Sequence, residues 1–453
     1  MQKKNDFLGT APVGPLLLRL AIPTVAAQLI NMLYNIVDRI YIGHMPGDGS
    51  LALTGVGICM PVIMFVSAFA ALISGGGAPR ASIAMGRGDD EGAEAIMGGC
   101  FTLQTIVSLL MTAVLLLFGR PMLSAFGASE NTIAYASDYL SIYALGTAFV
   151  QLTLGMNAYI TAQGFTTVSM ITTLIGAGLN ILLDPLFIFG LDMGVRGAAL
   201  ATILSQAVSA VWVLRFLTGE KAKWRLRREN LRPVPAVFLP CMALGLSPFI
   251  MQSTESLIAV CFNSSLLKYG GDLAVGAMTV LTSVMQFAMM PLQGLSQGAQ
   301  PIVSYNFGAR NAQRVRDAFR CLLTACLVYS LAFWALVQLF PALFVHLFNS
   351  DAALVDYGAW ALRIYMGATG IFGIQIACQQ TFIALGNAKA SLFLAVLRKI
   401  ILLIPLIYIL PNFFADKAFA VFLAEPIADF LAVMSTATLF FFQFRKAMQS
   451  LEK

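Results

Sequence analysis

The sequence predicts an all-α membrane protein of twelve transmembrane helices in two pseudo-symmetric six-helix lobes around a central cavity. Three observations predict it. Of 453 residues, 58% are hydrophobic and 11% charged, and mean hydropathy is +0.81. That leaves too little polar surface to cover a soluble body of this length. Stretches of about 20 apolar residues, enough to cross the hydrocarbon core as helix, recur along the whole chain, and the two halves repeat each other in one register.

The spans are expected near residues 16–43, 51–78, 95–118, 134–162, 168–190, 196–218, 238–266, 273–303, 319–345, 358–384, 390–412 and 416–444. The first has a basic start, but its apolar run is long, contains Asp38 and lacks a short core with a small-residue cleavage site. It therefore reads as a retained helix and not as a leader. The longest polar stretch, Gly219 to Pro233, is only a connector. No Gly-rich phosphate loop ending in Lys-Ser or Lys-Thr occurs, so neither an ATPase module nor enzyme chemistry is expected.

Charge placement tests the count. With both termini cytoplasmic, the inner segments hold Lys3, Lys4, Arg80, Arg87, the run from Lys221 to Arg232, Arg310 to Arg320, Arg445 and Lys446, the bulk of the 28 basic residues. The asymmetry follows the positive-inside rule. It accounts for the net charge of +6 through loops beside anionic membrane lipid, with no nucleic-acid partner. The seven cysteines are scattered without paired metal spacing, and the two histidines are far apart, so no disulfide framework, histidine metal site or cofactor is expected.

The repeat is the main organising signal. A shift of 222 residues aligns Gly76 with Gly298, Pro79 with Pro301, Gly86 with Gly308, Tyr143 with Tyr365, Gly164 with Gly386 and Ser169 with Ser391. Six spans per unit is an even number, so the repeat is parallel. The expected division is an N-lobe over 1–218, a cytoplasmic linker over 219–235 and a C-lobe over 236–453. Two lobes rocking about a pathway satisfy alternating access within one chain, so a monomer is expected, and prolines inside spans (Pro23, Pro61, Pro248, Pro291, Pro405, Pro426) permit bends.

An acid at mid-bilayer costs about 2.5–3.5 kcal/mol on insertion scales, so those that persist face a cavity or a partner. The candidates are Asp38, Asp184, Glu255, Glu425 and Asp429, with Arg398 and Lys399 as deep bases. Asn180 and Asp184 stand four apart, on one helix face, and Pro185 removes a backbone donor just after them. Thr202 adds a hydroxyl from the next span. Two carboxylates, an amide oxygen and a hydroxyl form a hard oxygen set suited to Na⁺ and equally to a proton shared between acids. Arg398 and Glu425 have a structural reading as well, a buried ion pair joining spans 11 and 12.

The run Leu179-Asn180-Ile181-Leu182-Leu183-Asp184-Pro185, then Phe189-Gly190 and Gly194-Val195-Arg196-Gly197-Ala198-Ala199-Leu200-Ala201-Thr202, resembles the span 5 to 6 signature of the multidrug and toxic compound extrusion (MATE) family. Asp38, within Tyr34-Asn35-Ile36-Val37-Asp38-Arg39-Ile40-Tyr41-Ile42-Gly43, matches that family's span 1 acid, and Pro79 to Gly86 and Pro301 to Gly308 resemble its paired ends of spans 2 and 8. The likeness covers essentially the whole chain and is strongest to the branch of MepA-like bacterial exporters.

The resemblance implies a multi-pass exporter of the bacterial cell (inner) membrane that expels organic cations and other amphipathic drugs in exchange for Na⁺ or H⁺. It assigns the cation site of the first lobe to Asp38, Asn180, Asp184 and Thr202, which would hold Na⁺ if sodium couples. Glu255 resembles an acid of the second lobe found in another branch, and Glu255, Arg398 and Glu425 are the candidate second-lobe residues. Flexible Met and Phe side chains suit drugs of varied shape; the wall candidates are Met60, Met64, Phe65, Met156, Met285, Phe287, Met289 and Met290. The alternative is a flippase for a lipid-linked precursor, which would need a basic cavity, whereas the deep acids here lie in the first half.

Overall fold

A computed structural model describes residues 7–47 and 49–452, and the described chain is helical without a strand. The transmembrane helices are α1 Val13–Gly43, α2 Gly49–Gly86, α3 Asp90–Ala125, α4 Ile133–Leu145 with Thr147–Ala162, α5 Thr166–Gly190 and α6 Val195–Thr218. In the second half, one helical run, Pro235–Gly308, is 74 residues long. At 1.5 Å per residue it would measure about 110 Å, several times the ~30 Å hydrocarbon core. Gly271 breaks it with φ 67° and ψ −163°, a conformation open to glycine because it has no Cβ. The run is therefore two spans, α7 over 235–270 and α8 over 272–308. There follow α9 Ala312–Leu339, α10 Ala352–Tyr365 with Thr369–Ala384, α11 Ala388–Asn412 and α12 Lys417–Glu452.

By length and apolarity, nine unbroken helices among the described residues qualify as spans, and two bent pairs bring the number to eleven. Dividing the 74-residue run at Gly271 makes twelve. No expected span is missing, though their ends shift. Helix α2, for example, runs on to Gly86, eight residues past the expected 78, because the apolar small residues after Ser74 still pack inside.

The 222-residue register reappears in the geometry. The start of α3 at Asp90 corresponds to that of α9 at Ala312, the start of α5 at Thr166 to that of α11 at Ala388, and the start of α6 at Val195 to that of α12 at Lys417. The same register repeats a cap: Asp89 Oδ1 accepts from the Gly92 amide at 2.8 Å, and Asn311 Oδ1 from the Arg314 amide at 3.2 Å. Each satisfies an otherwise orphaned first-turn donor. The fourth helix of each half is bent, α4 by 57° and α10 by 44°.

The chain forms two compact units, Ala26–Gln252 and Met1–Val25 with Ser253–Lys453. Relative to a cut at the linker, the described residues 7–25 group with the second half and the start of α7 with the first. In the unit Ala26–Gln252, α2 and the start of α7 meet backbone to backbone: a Cβ on Gly76 would lie 1.9 Å from the Cys241 carbonyl oxygen, so only glycine permits that approach. The linker is strapped to this unit. Glu94 Oε1 accepts from the Arg225 amide at 2.9 Å, Glu94 Oε2 pairs with Arg227 at 3.0 Å, and Gln163 Oε1 accepts from the amides of Lys223 and Trp224. Trp224 is fully buried.

In the other unit, Thr24 Oγ1 donates to the Gly294 carbonyl at 2.6 Å. The Arg314 guanidinium donates to the carbonyls of Leu8 and Ala11. Its core gathers Phe262, Leu281, Leu362, Ile407 and Phe422 from α7, α8, α10, α11 and α12.

Candidate functional site

In the unit Ala26–Gln252, a cavity of about 630 Å³ opens between α1, α2, α4 and α6. Asn31, Tyr34, Asn35 and Asp38 recur along α1 at intervals of three and four residues, so one helix face delivers them all to this cavity. Across from them, α2 contributes Met60, Ile63 and Ser67, α4 Tyr139 and Tyr143, and α6 Thr202 and Gln206.

Behind Asp38 and Thr202 lie Asn180, 2% exposed, and Asp184, with no exposure. Asn180 Nδ2 donates toward Thr202 Oγ1 at 3.3 Å and Asp184 Oδ1 at 3.5 Å, while the Thr202 hydroxyl donates to the Ala198 carbonyl at 3.0 Å. The carboxyls of Asp38 and Asp184 are within hydrogen-bond reach of each other. After these bonds, Asp38 Oδ1, Asn180 Oδ1 and Asp184 Oδ2 are buried and accept nothing. Three converging oxygens without a donor are costly in a protein interior. Two facing carboxylates repel unless a proton or cation lies between them. The donor set therefore fits a small hard cation or a proton.

Two local features present these groups. Helix α5 passes at Pro185 into a π-turn over Leu186–Gly190, closed by the Leu191 amide on the Leu186 carbonyl at 2.8 Å. Pro185 offers no amide to the turn before it. The four-residue spacing of Asn180 and Asp184 keeps both on the face toward α6, where Thr202 also points.

All four residues expected at the first-half site are thus in one place. The sequence pattern did not mark Tyr139, Tyr143 or Gln206 as cavity residues. Tyr139 and Tyr143 stack at 6.3 Å with 14° between their planes, an i, i+4 spacing that is legible in sequence but equally common in packed cores. Gln206 lies one turn beyond Thr202, and its Oε1 is buried without a partner; that spacing was the available signal. Of the eight Met and Phe wall candidates only Met60 lines the cavity. Met156 is fully buried, Phe65 and Phe287 are exposed at 42% and 41%, and Met285 and Met289 pack on the second-half core.

The second-half candidates form a separate network. Arg398 Nε bonds Asp429 Oδ1 at 2.8 Å and its Nη2 bonds Glu425 Oε1 at 3.2 Å. Lys399 Nζ bonds Glu255 Oε1 at 2.5 Å. The ion pair expected between Arg398 and Glu425 is present, with Asp429 as a second acceptor. At the 222-residue shift the positions of Asp38, Asn180, Asp184 and Thr202 are taken by Val260, Leu402, Leu406 and Ala424. The oxygen set of the first half is not repeated.

The MatE family model matches residues 23–186 and 248–409, one copy in each half. Multidrug export protein MepA of Staphylococcus haemolyticus (strain JCSC1435) is 25% identical over 419 residues, 92% of each chain. The MATE multidrug transporter DinF-BH, solved in complex with a small-molecule ligand, is 35% identical and superposes with a TM-score of 0.89 over 97% of this chain and 98% of its own. A crystal structure of MATE in the bent conformation, 22% identical, matches the fold with a TM-score of 0.93 over the whole of both chains. With two family segments covering most of its length on twelve apolar helices, the chain belongs to the MatE family: it is a multi-pass membrane transporter and not an enzyme.

Proposed function

We propose that the protein is a secondary active multidrug exporter of the bacterial cell membrane, with both termini cytoplasmic, that expels cationic and amphipathic drugs in exchange for Na⁺ or H⁺. The observation that carries this reading is the group of unpartnered buried oxygens on Asp38, Asn180 and Asp184 behind the wall of a drug-sized cavity. The MepA relative, a multidrug export protein, and DinF-BH, a multidrug transporter solved with its ligand bound, support the substrate class.

Asp38 belongs both to the cavity wall and to the carboxyl pair. A drug ammonium attracted by Asp38 and an ion held between Asp38 and Asp184 therefore compete for one charge. Competing ligands are coupled through their difference in affinity: ion loaded from outside weakens the drug's hold, and drug loaded from inside expels the ion. The stacked faces of Tyr139 and Tyr143 supply a surface for a cationic aromatic drug, worth about 0.5–2 kcal/mol per cation–π contact. The membrane potential drives ion entry with about 2.3 kcal/mol per charge per 100 mV.

The test is efflux of a fluorescent cationic dye from vesicles under an imposed Na⁺ or pH gradient, in wild type and Asp184→Asn. Transport driven by one gradient and lost in the variant is the expected result and names the ion. Full efflux by Asp184→Asn overturns the coupling scheme, and no dye movement under either gradient redirects the reading to a lipid-precursor flippase.

A further inference from the structure

The charge network of the second half is out of balance. Three carboxylates, Glu255, Glu425 and Asp429, face two bases, Arg398 and Lys399, so the cluster carries one negative charge in excess when all five are ionised. The imbalance can be located. Lys399 and Glu255 form a one-to-one pair, and the Glu255 side chain is 52% exposed. Arg398 is the one base in direct contact with both Glu425 and Asp429, which stand one helical turn apart on α12 at 4% and 2% exposure, while Lys399 and Glu255 act on Glu425 only through space and with opposite sign. The excess charge therefore sits at the buried end, where an uncompensated charge is most costly.

Among the described residues, the neighbours offer no further cation. From α10, Phe372 lies under the Arg398 guanidinium at 4.5 Å, and Tyr365, a neutral phenol, is the remaining titratable group facing the acids. Between these two residues on α10 stands Thr369, 2% exposed, whose hydroxyl has no hydrogen-bond partner.

We propose that Glu425 and Asp429 share one exchangeable proton on Arg398, making a protonation centre in the second half that is distinct from the Asp38 and Asp184 pair. The proton balance is simple: one carboxyl O–H forms as the proton arrives from water, one carboxylate oxygen is neutralised, and the cluster becomes electrically neutral. It stands on α7, α11 and α12, the repeat counterparts of α1, α5 and α6 that carry the first-half site, yet it uses none of the equivalent positions. The two halves thus gather buried acids on corresponding helices at different positions.

The test does not depend on drug export. In full-length Asp38→Asn/Asp184→Asn protein, the infrared C=O stretch of a protonated carboxylic acid at neutral pH is compared with that of the same protein carrying Glu425→Gln or Asp429→Asn in addition. Each added change leaves Arg398 one carboxylate, so the network is neutral without a proton and the protein is expected to fold. Loss of a one-carboxyl band in both variants, with one fewer proton released on alkalinisation, is the expected result. A band unchanged in both variants, or absent from the parent, overturns the proposal. Thermal unfolding of each variant near that of the parent identifies the loss as chemical, and a variant that fails to fold is replaced by Glu425→Asp, which should retain the band at a shifted frequency.

Discussion

Replacing Arg398 by Leu is the most exacting perturbation of the second half. The guanidinium makes bonds of 2.8 Å to Asp429 and 3.2 Å to Glu425, both acids are nearly fully buried, and its Cζ lies 4.5 Å from the Phe372 ring centroid. Removing one partner from a buried ion pair costs about 3–5 kcal/mol because the other charge is stranded, and the lost cation–π contact adds about 0.5–2 kcal/mol. Arg398→Leu is therefore expected to lose at least about 3 kcal/mol of stability. The triple variant Arg398→Leu/Glu425→Gln/Asp429→Asn, which strands no charge, should recover most of it. Unfolding can be followed by reaction of a thiol-directed fluorophore with the buried Cys261, Cys326 and Cys378 of the same unit, during titration with a denaturing detergent. The additive expectation for independent sites is a further loss in the triple variant, so recovery measures the coupling directly. Wild-type stability in Arg398→Leu would refute the reasoning, as would a triple variant less stable than the single one.

Two further outcomes follow from the first unit. Gln206→Leu removes the unpartnered Oε1 from the cavity wall and should weaken binding of drugs that carry an N–H donor by up to about tenfold, the worth of a hydrogen bond of 0.5–1.5 kcal/mol, while sparing quaternary ammonium dyes; equal losses for both classes would show that the change is steric. Glu94→Ala frees the Arg225 amide and the Arg227 guanidinium, so limited trypsin digestion should cut the linker between 225 and 232 several times faster than in wild type, and an unchanged cleavage rate would mean that Gln163 and Trp224 hold the strap alone.

The membrane class, the twelve spans and the two-fold repeat were legible in the sequence because they rest on local quantities. A run of apolar residues must become helix in lipid, where every backbone donor needs an internal partner. A repeated helix carries its caps and breaks with it, as at Asp89 and Asn311. The candidate ligands Asn180 and Asp184 were legible for the same reason, since a four-residue spacing places two side chains on one face whatever surrounds them.

What the tertiary structure decided is which faces meet. Periodicity along α1 marks Asn31, Tyr34, Asn35 and Asp38 as one stripe, but only the packing of α2, α4 and α6 around that stripe makes it a cavity wall and brings in Tyr139, Tyr143 and Gln206. The same holds for the Met and Phe candidates: composition shows that soft side chains are present, and packing leaves Met60 as the one that lines the cavity. In the second half, the sequence presented five charged residues on three helices, and their pairing depended on rotations that no single helix determines. Local physics sets what each helix is, and the contacts between helices set which of its residues share a site, because side chains far apart in the chain interact only once the fold has removed the lipid and water between them.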